Sequence, residues 1–222
     1  MISVAIDGPA GAGKSTLSRK AAAALGFIYV DTGALYRAIG LKFLNLGQDR
    51  ELNCDIESVL ADTKVDIRFV DSEQRVFLDG TDVSDKIRTP EVSMMASAVS
   101  AKPPVRAFLL DMQRKLADDN NVLMDGRDIG TVVLPNATVK IFLTASPEER
   151  SKRRYDELIA KGEKVTFKEV YDDLVQRDYN DSHREIAPLK PAETSVIVDT
   201  TGFSFEESLE LLISTIKEKA GI

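Results

Sequence analysis

Apolar residues fall along this chain in two rhythms, and the changes between them mark out its elements. Residues 2–7 (ISVAID) form a short apolar run, and from Lys14 the positions Leu17, Ala21, Ala24 and Leu25 recur at helical spacing until Gly26. This predicts strand, loop and helix, with a glycine stop. Residues 27–30 read as a second strand and residues 34–46 as a helix beginning just past Thr32 and Gly33. Further apolar strands are predicted at 122–124, 139–143 and 195–198. Runs without a polar face belong to strands buried on both sides, as in a parallel sheet covered by helices.

Between residues 65 and 83 the rhythm has period two. Val65, Ile67 and Phe69 alternate with Asp66 and Arg68, the polar turn DSEQ (71–74) follows, and a second alternating run passes through Val76 and Leu78. Alternation predicts an antiparallel hairpin with one wet face, a small insert projecting from the main sheet. Pro103 and Pro104 stand at a helix start whose buried stripe is Val105, Phe108, Leu109, Met112 and Leu116. Three capping boxes, Ser146 with Glu149, Thr166 with Glu169 and Ser204 with Glu207, announce the C-terminal helices, the last carrying Leu209, Leu212, Ile213 and Ile216. Apolar strands separated by helices call for an α/β fold of three layers, with a five-stranded parallel sheet that binds ligands beyond the carboxyl ends of its strands.

Composition narrows the class. The chain has 222 residues, 43% of them hydrophobic and 29% charged, ordinary for one globular domain and without the run of ~20 apolar residues that a membrane helix needs. Asp7 and the glycines after it interrupt any export signal, and the single cysteine, Cys54, allows no internal disulfide, so a cytoplasmic monomer is expected, with Cys54 a buried small hydrophobe. A net charge of -7 argues against a protein that grips nucleic-acid backbone, and any anionic ligand must be met by local cations. The one histidine, His183, excludes a multi-histidine metal site and reads as a surface residue.

Residues 8–16, GPAGAGKST, satisfy G-x-x-x-x-G-K-[ST] between a strand and a helix, the context a phosphate loop requires. The backbone N–H groups of Gly8, Pro9, Ala10, Gly11, Ala12, Gly13, Lys14, Ser15 and Thr16, proline excepted, curl around an anion. The helix adds its positive end, Lys14 reaches the outer phosphates and the Ser15 hydroxyl suits Mg²⁺. A P-loop NTPase-type fold with a nucleoside triphosphate site follows, and the acceptor is either water or a second substrate.

An acceptor that is itself a phosphate needs several arginines in fork geometry. Strand two ends in DTGALYR, with the Thr32 hydroxyl at a helix start and Arg37 just over a turn in; another strand ends in MDGRDIGT, presenting Arg127 and Asp128. Arg177, Asp181 and Arg184 stand at i, i+4 and i+7, sharing a helix face if that helix persists to Arg184. Arg150, Arg153 and Arg154 form either a charged surface face or a lid over the triphosphate.

GPAGAGKST, DTGALYR, IRTPEVS, VRAFLLDMQR, MDGRDIGT, VKIFLTAS and RDYNDSHREIAPL follow one another as they do in bacterial cytidylate kinases, and over almost its whole length the chain resembles that family. The resemblance implies transfer of the ATP γ-phosphoryl group to CMP or dCMP. It implies a core of residues 1–62, 84–146 and 190–222, a monophosphate-binding β insert at about 63–83 and a helical lid at about 147–189. Position by position it implies that Thr32, Arg37, Arg127 and Arg184 hold the acceptor phosphate. Ser97, Arg106 and Asp128 would read the cytosine edge, Arg177 and Asp181 would contact the sugar, and Lys14, Arg127 and Arg184 would serve catalysis, with Arg153 and Arg154 on ATP. Thr32 stands where the family often has serine, the hydroxyl retained. Without the resemblance, Ser97 and Arg106 read as ordinary helix-surface residues.

A GTP-binding switch is the rival from another class, since residues 63–66 (TKVD) and 100–102 (SAK) imitate guanine-reading motifs. TKVD runs into the alternating hairpin strand, and no D-x-x-G lies between it and the phosphate loop. A kinase for UMP or another small acceptor is the nearer rival, which architecture alone leaves open.

Overall fold

A computed structural model of the chain describes residues 1–70, 73–160 and 162–222, with Glu73 described by its backbone alone. In order the elements are β1 (Ser3–Asp7), α1 (Lys14–Leu25), β2 (Ile28–Asp31), α2 (Thr32–Asn45), α3 (Ile56–Ala61), β3 (Val65–Val70), β4 (Glu73–Leu78), β5 (Thr81–Asp82), α4 (Pro90–Ser100) and α5 (Pro103–Asp119). There follow β6 (Val122–Gly126), a π-helical turn (Ile129–Val133), β7 (Val139–Thr144), α6 (Pro147–Ala160), α7 (Phe167–His183), β8 (Val196–Asp199) and α8 (Phe205–Ala220). They pack as two compact units, Met1–Ile28 with Asn120–Ile222, and Tyr29–Asp119.

The five apolar runs become the parallel sheet expected, in the order β2-β6-β1-β7-β8. In the first unit β1 pairs with β6 and β7 on its two sides, in a register that sets Ile6 beside Asp125 and Ile141. Val4, Ala5, Ile6, Leu123, Met124 and Ile141 are wholly buried, which is why these strands carry no polar alternation. Gly13 precedes α1 in the left-handed conformation and Gly26 closes it in the same way, its N–H donating to Ala22 and Ala23 carbonyls.

Asp7 ends β1 and is 1% exposed. Its two carboxylate oxygens accept the N–H groups of Ile129, at 2.7 Å, and Gly130, at 2.8 Å, so the last residue before the phosphate loop also fixes the π-helical turn. Burial lifts its pKa from 3.8 to about 6, while the two N–H bonds and Lys14 oppose the rise.

The second unit has its own core, in which Leu35, Ile39 and Phe43 of α2 meet Met95 and Val99 of α4 and Val105 and Leu109 of α5. At Gly40 the backbones of α2 and α4 approach closely: a Cβ there would lie 3.0 Å from the Ala96 backbone nitrogen and 3.3 Å from the Met95 carbonyl carbon. β3 and β4 form the expected antiparallel hairpin, with Ile67 opposite Val76 and Val65 opposite Leu78. Val76, Leu78 and Val83 are buried in the same cluster as α2, so the inner face of the hairpin is part of this unit's core. Asp71 and Ser72, the first half of the DSEQ turn, lie outside the described residues.

Several boundaries depart from the sequence pattern for identifiable reasons. α2 begins two residues early because the Asp31 carboxylate caps it, accepting the Ala34 N–H at 3.0 Å. α7 stops at His183, and Arg184 is already extended, one residue short of the helix on which the shared face depended. Thr166 and Ser204 make full capping boxes. At Ser146 only half forms: Glu149 turns its carboxylate to Gly202 N–H and Arg153, and Ser146 N–H donates to Thr201 instead. α3, capped by Asp55, has no counterpart in the sequence reading. Cys54 is half-buried against the second unit's core, and His183 is exposed and stacked on Tyr179.

Two outcomes follow from this packing. Gly40→Ala, unable to push backbone aside, should destabilise the chain by about 1–3 kcal/mol in chemical unfolding. Because the folded pKa of Asp7 lies above its unfolded value, its contribution is most favourable below pH 3.8 and is lost as pH rises through 6. Relative to Asp7→Asn, the wild type should therefore lose on the order of 3 kcal/mol between pH 4 and 6.5, read as the difference between paired urea unfolding curves.

Candidate active site

The phosphate loop leaves β1 through a gap that only glycine fits, since a Cβ on Gly8 would sit 2.0 Å from the Leu143 carbonyl oxygen of the neighbouring strand. Gly11 and Gly13 then take positive φ of 71° and 81°. No side chain caps the start of α1, so its first N–H groups face the loop, a ready anion site. Lys14 is 7% exposed, and its Nζ donates to the Gly8 and Pro9 carbonyls, each at 2.7 Å. Burial and then the nearby Arg127 push its pKa down from 10.5 to about 7, against the pull of Asp125, Asp181 and Asp7.

Around Lys14 the first unit gathers most of the residues expected from its part of the sequence. Arg127 Nε donates to Asp181 Oδ2 at 2.8 Å. Burial works against that guanidinium, yet Asp181 more than compensates and holds its pKa above the ordinary value. Burial likewise works against the Asp181 carboxylate, and Arg127 outweighs it, keeping the acid below its usual range. Arg177 is pushed below its usual value by burial and by Arg127. Arg184, although beyond the helix, still comes back: its Nη2 lies 3.6 Å from Asp128 Oδ1, and its Nε donates to the Ala187 carbonyl at 2.6 Å. Arg153 stands 3.8 Å from where a Gly13 Cβ would be, while Arg154 pairs with Glu157 on α6 and adds to the positive field at Arg177.

The sequence reading passed over Asp125. It is 3% exposed at the end of β6, and Ser15 Oγ donates to its Oδ2 at 3.0 Å. A hydroxyl and a carboxylate side by side at the loop are hard oxygen donors of the kind Mg²⁺ takes, and among the described residues no larger group of His, Cys, Asp and Glu could hold a metal. The signal was present in VLMD, an apolar strand closed by a carboxylate. Arg150, expected with Arg153 and Arg154 on a surface face or lid, is instead buried and ion-paired to Asp178 at 2.5 Å.

In the second unit, Asp31 organises the start of α2. Besides capping Ala34 it accepts Arg37 Nη2 at 2.8 Å, with Arg88 3.8 Å away, and Gln74 of β4 brackets its peptide through both amide atoms. Thr32 is buried in the first turn, and Arg37 Nε is buried without a hydrogen-bond partner among the described residues. Arg106 is not the surface residue that helical spacing alone suggests: it is 9% exposed, donates to the Ser100 carbonyl at 3.2 Å and has its guanidinium 5.7 Å from the Tyr36 ring centre. Ser97 is exposed on α4. Val65 and Asp66 of the TKVD imitation lie in β3, paired to Leu78 and Phe77, so they cannot form a guanine-reading loop.

Comparisons with known proteins bear on the fold and the family. Over its full length the chain is similar to a solved shikimate kinase from Bacteroides thetaiotaomicron, with a TM-score of 0.51 at 13% identity, covering 100% of this chain and 99% of the other; this supports the fold. It is 52% identical to a cytidylate kinase of Caldicellulosiruptor bescii, over 96% of this chain and 94% of that one. It is 50% identical to a cytidylate kinase of Caldicellulosiruptor saccharolyticus, over 99% and 97%. The family profile described as Cytidylate kinase matches residues 4–218, and the chain therefore belongs to the cytidylate kinase family.

Proposed function

We infer that the chain transfers the γ-phosphoryl group of ATP to CMP, and to dCMP, giving ADP and CDP or dCDP. The observation that carries this reading is the cluster of buried Lys14 with the Arg127–Asp181 pair at the mouth of a phosphate loop, in a chain of the cytidylate kinase family. A phosphate oxygen of the acceptor attacks the γ-phosphorus in line. The bond from that phosphorus to the β–γ bridging oxygen breaks, and ADP leaves. No side-chain nucleophile is needed, because in phosphoryl transfer catalysis is mainly positioning and charge stabilisation.

Loop N–H groups and Lys14 hold the triphosphate. Ser15 and Asp125 would hold Mg²⁺, which when bound neutralises phosphate charge. On the acceptor side the roles rest on the family resemblance: Thr32, Arg37, Arg127 and Arg184 on the phosphate, Arg177 and Asp181 on the sugar, Ser97, Arg106 and Asp128 on the base. A carboxylate such as Asp128 suits the amino group of cytosine, and donors such as Arg106 suit its acceptors. Arg153 and Arg154 belong to a helical lid, α6 and α7, that acts on ATP, and the β3–β4 hairpin to the monophosphate-binding insert. With one cysteine and among the described residues no helix long and apolar enough to cross a membrane, we place the enzyme in the cytoplasm.

Phosphate transfer from ATP and Mg²⁺ to a panel of nucleoside monophosphates tests the whole reading, which predicts turnover with CMP and dCMP; a preferred acceptor outside the cytidine nucleotides would overturn it. Lys14→Ala should lower kcat by about 10²–10³-fold for every acceptor. Asp128→Ala should lower kcat/KM for CMP by about 10–100-fold while leaving the KM for ATP within about twofold. An equal loss for CMP and UMP would remove Asp128 from base recognition.

A further inference from the structure

Two charged side chains on the inner faces of α6 and α7 grip the phosphate loop without belonging to the groups assigned above. Arg150 is 4% exposed, and its guanidinium joins three elements. Nε donates to the Ala145 carbonyl just after β7 at 2.8 Å, and Nη1 donates both to the Ala10 carbonyl at 2.8 Å and to Asp178 Oδ2 at 2.5 Å. Asp178 uses its other oxygen, Oδ1, to accept the Ala10 N–H at 3.1 Å. The peptide groups on both sides of the Ala10 Cα are thus held by a carboxylate and a guanidinium that are themselves paired.

The grip continues into the next residue. A Cβ on Gly11 would lie 3.0 Å from the Arg150 carbonyl oxygen and 3.0 Å from Leu174 Cδ1, so both helices press on the loop where its N–H groups begin to turn inward. Val170 and Leu174 are the buried residues of α7, and Asp178 extends their row by one further step of four. A charge in an apolar row is costly unless each of its oxygens has a partner, and both do.

A glycine-rich loop left to itself samples many backbone states, and a ligand that needs one of them binds more weakly by the fraction of time the loop spends elsewhere. We propose that Arg150 and Asp178 are positioning residues for ATP: by fixing the Ala10 peptides they set the curl of residues 11–16 and hence nucleotide affinity. The proposal rests on the reading of these residues as the ATP loop. It deepens that reading by tying the loop to α7, whose adjoining positions Arg177 and Asp181 stand near Arg127.

Asp178→Ala removes the N–H acceptor and the ion pair together. Asp178→Asn keeps an acceptor for Ala10 but loses the charge, and Arg150→Lys keeps the charge but loses the fork. ADP titration of the full chain, KM values for ATP and CMP, and thermal midpoints separate positioning from simple support. We expect Asp178→Ala and Arg150→Lys to weaken ADP by ~10-fold or more, Asp178→Asn to weaken it less, and the KM for CMP at saturating ATP to stay within about twofold. Should Asp178→Ala not fold, the Asn and Lys variants carry the same comparison. ADP affinity unchanged within about twofold, or ADP and CMP weakening together in step with the thermal midpoint, would overturn the proposal. A wild type that binds ADP but does not phosphorylate CMP would sink the functional reading and leave the ADP titrations intact.

Discussion

Buried charge has to be paired, and that requirement shapes the first unit more than any other. Lys14 and Arg150 are withdrawn from water at the carboxyl edge of one sheet, as are Asp7, Asp125 and Asp128, and Arg127 and Arg184 are partly so. Isolated, each would cost several kcal/mol. Together they cancel: Arg127 with Asp181, Arg150 with Asp178, Arg184 beside Asp128. Lys14 rests on the Gly8 and Pro9 carbonyls, and burial, followed by the nearby Arg127, lowers its pKa. Arg127, Arg150 and Arg184 are thus each held by a carboxylate that ends or flanks the same sheet edge.

The sheet supplies the convergence. Parallel pairing of β1 with β6 brings Asp7 and Asp125 to one edge, and the chain turns from each into a loop with a job: the phosphate loop after Asp7, and Arg127 and Asp128 after Asp125. Asp7 couples the two, because the carboxylate that ends one strand holds the N–H groups that follow the other loop. The π-helical turn at Ile129–Val133 is the local result, as such turns often mark functional segments.

Legibility of the fold in the sequence followed the strength of local rules. The phosphate loop, the apolar strands and two of three capping boxes depend on neighbours in the chain, and the structure agrees with them. Glu149 departs because Gly202 and Arg153, distant or on the next turn, compete for its carboxylate. Arg106 and Arg150 look like surface residues at helical spacing, and only their tertiary partners, Ser100 and Tyr36 for one and Ala10 with Asp178 for the other, draw them inside. The close approach of α2 and α4 at Gly40 is equally silent in a one-dimensional pattern, because a glycine inside a helix looks like a defect until its neighbour is known.

In the hairpin, alternation marks the strands but not their setting. Period two identifies a strand with one wet face but not what covers the dry one. Here the dry face holds Val76 and Leu78, buried with Leu35 and Ile39 of α2, while Gln74 on the same β4 strand reaches the Asp31 peptide with both amide atoms. Asp31 in turn caps α2 and bonds Arg37. A displacement of β4 would therefore be felt at Arg37 through one side chain and one peptide. What the sequence presents as an appendage is, in physical terms, the support that fixes the direction of an arginine fork.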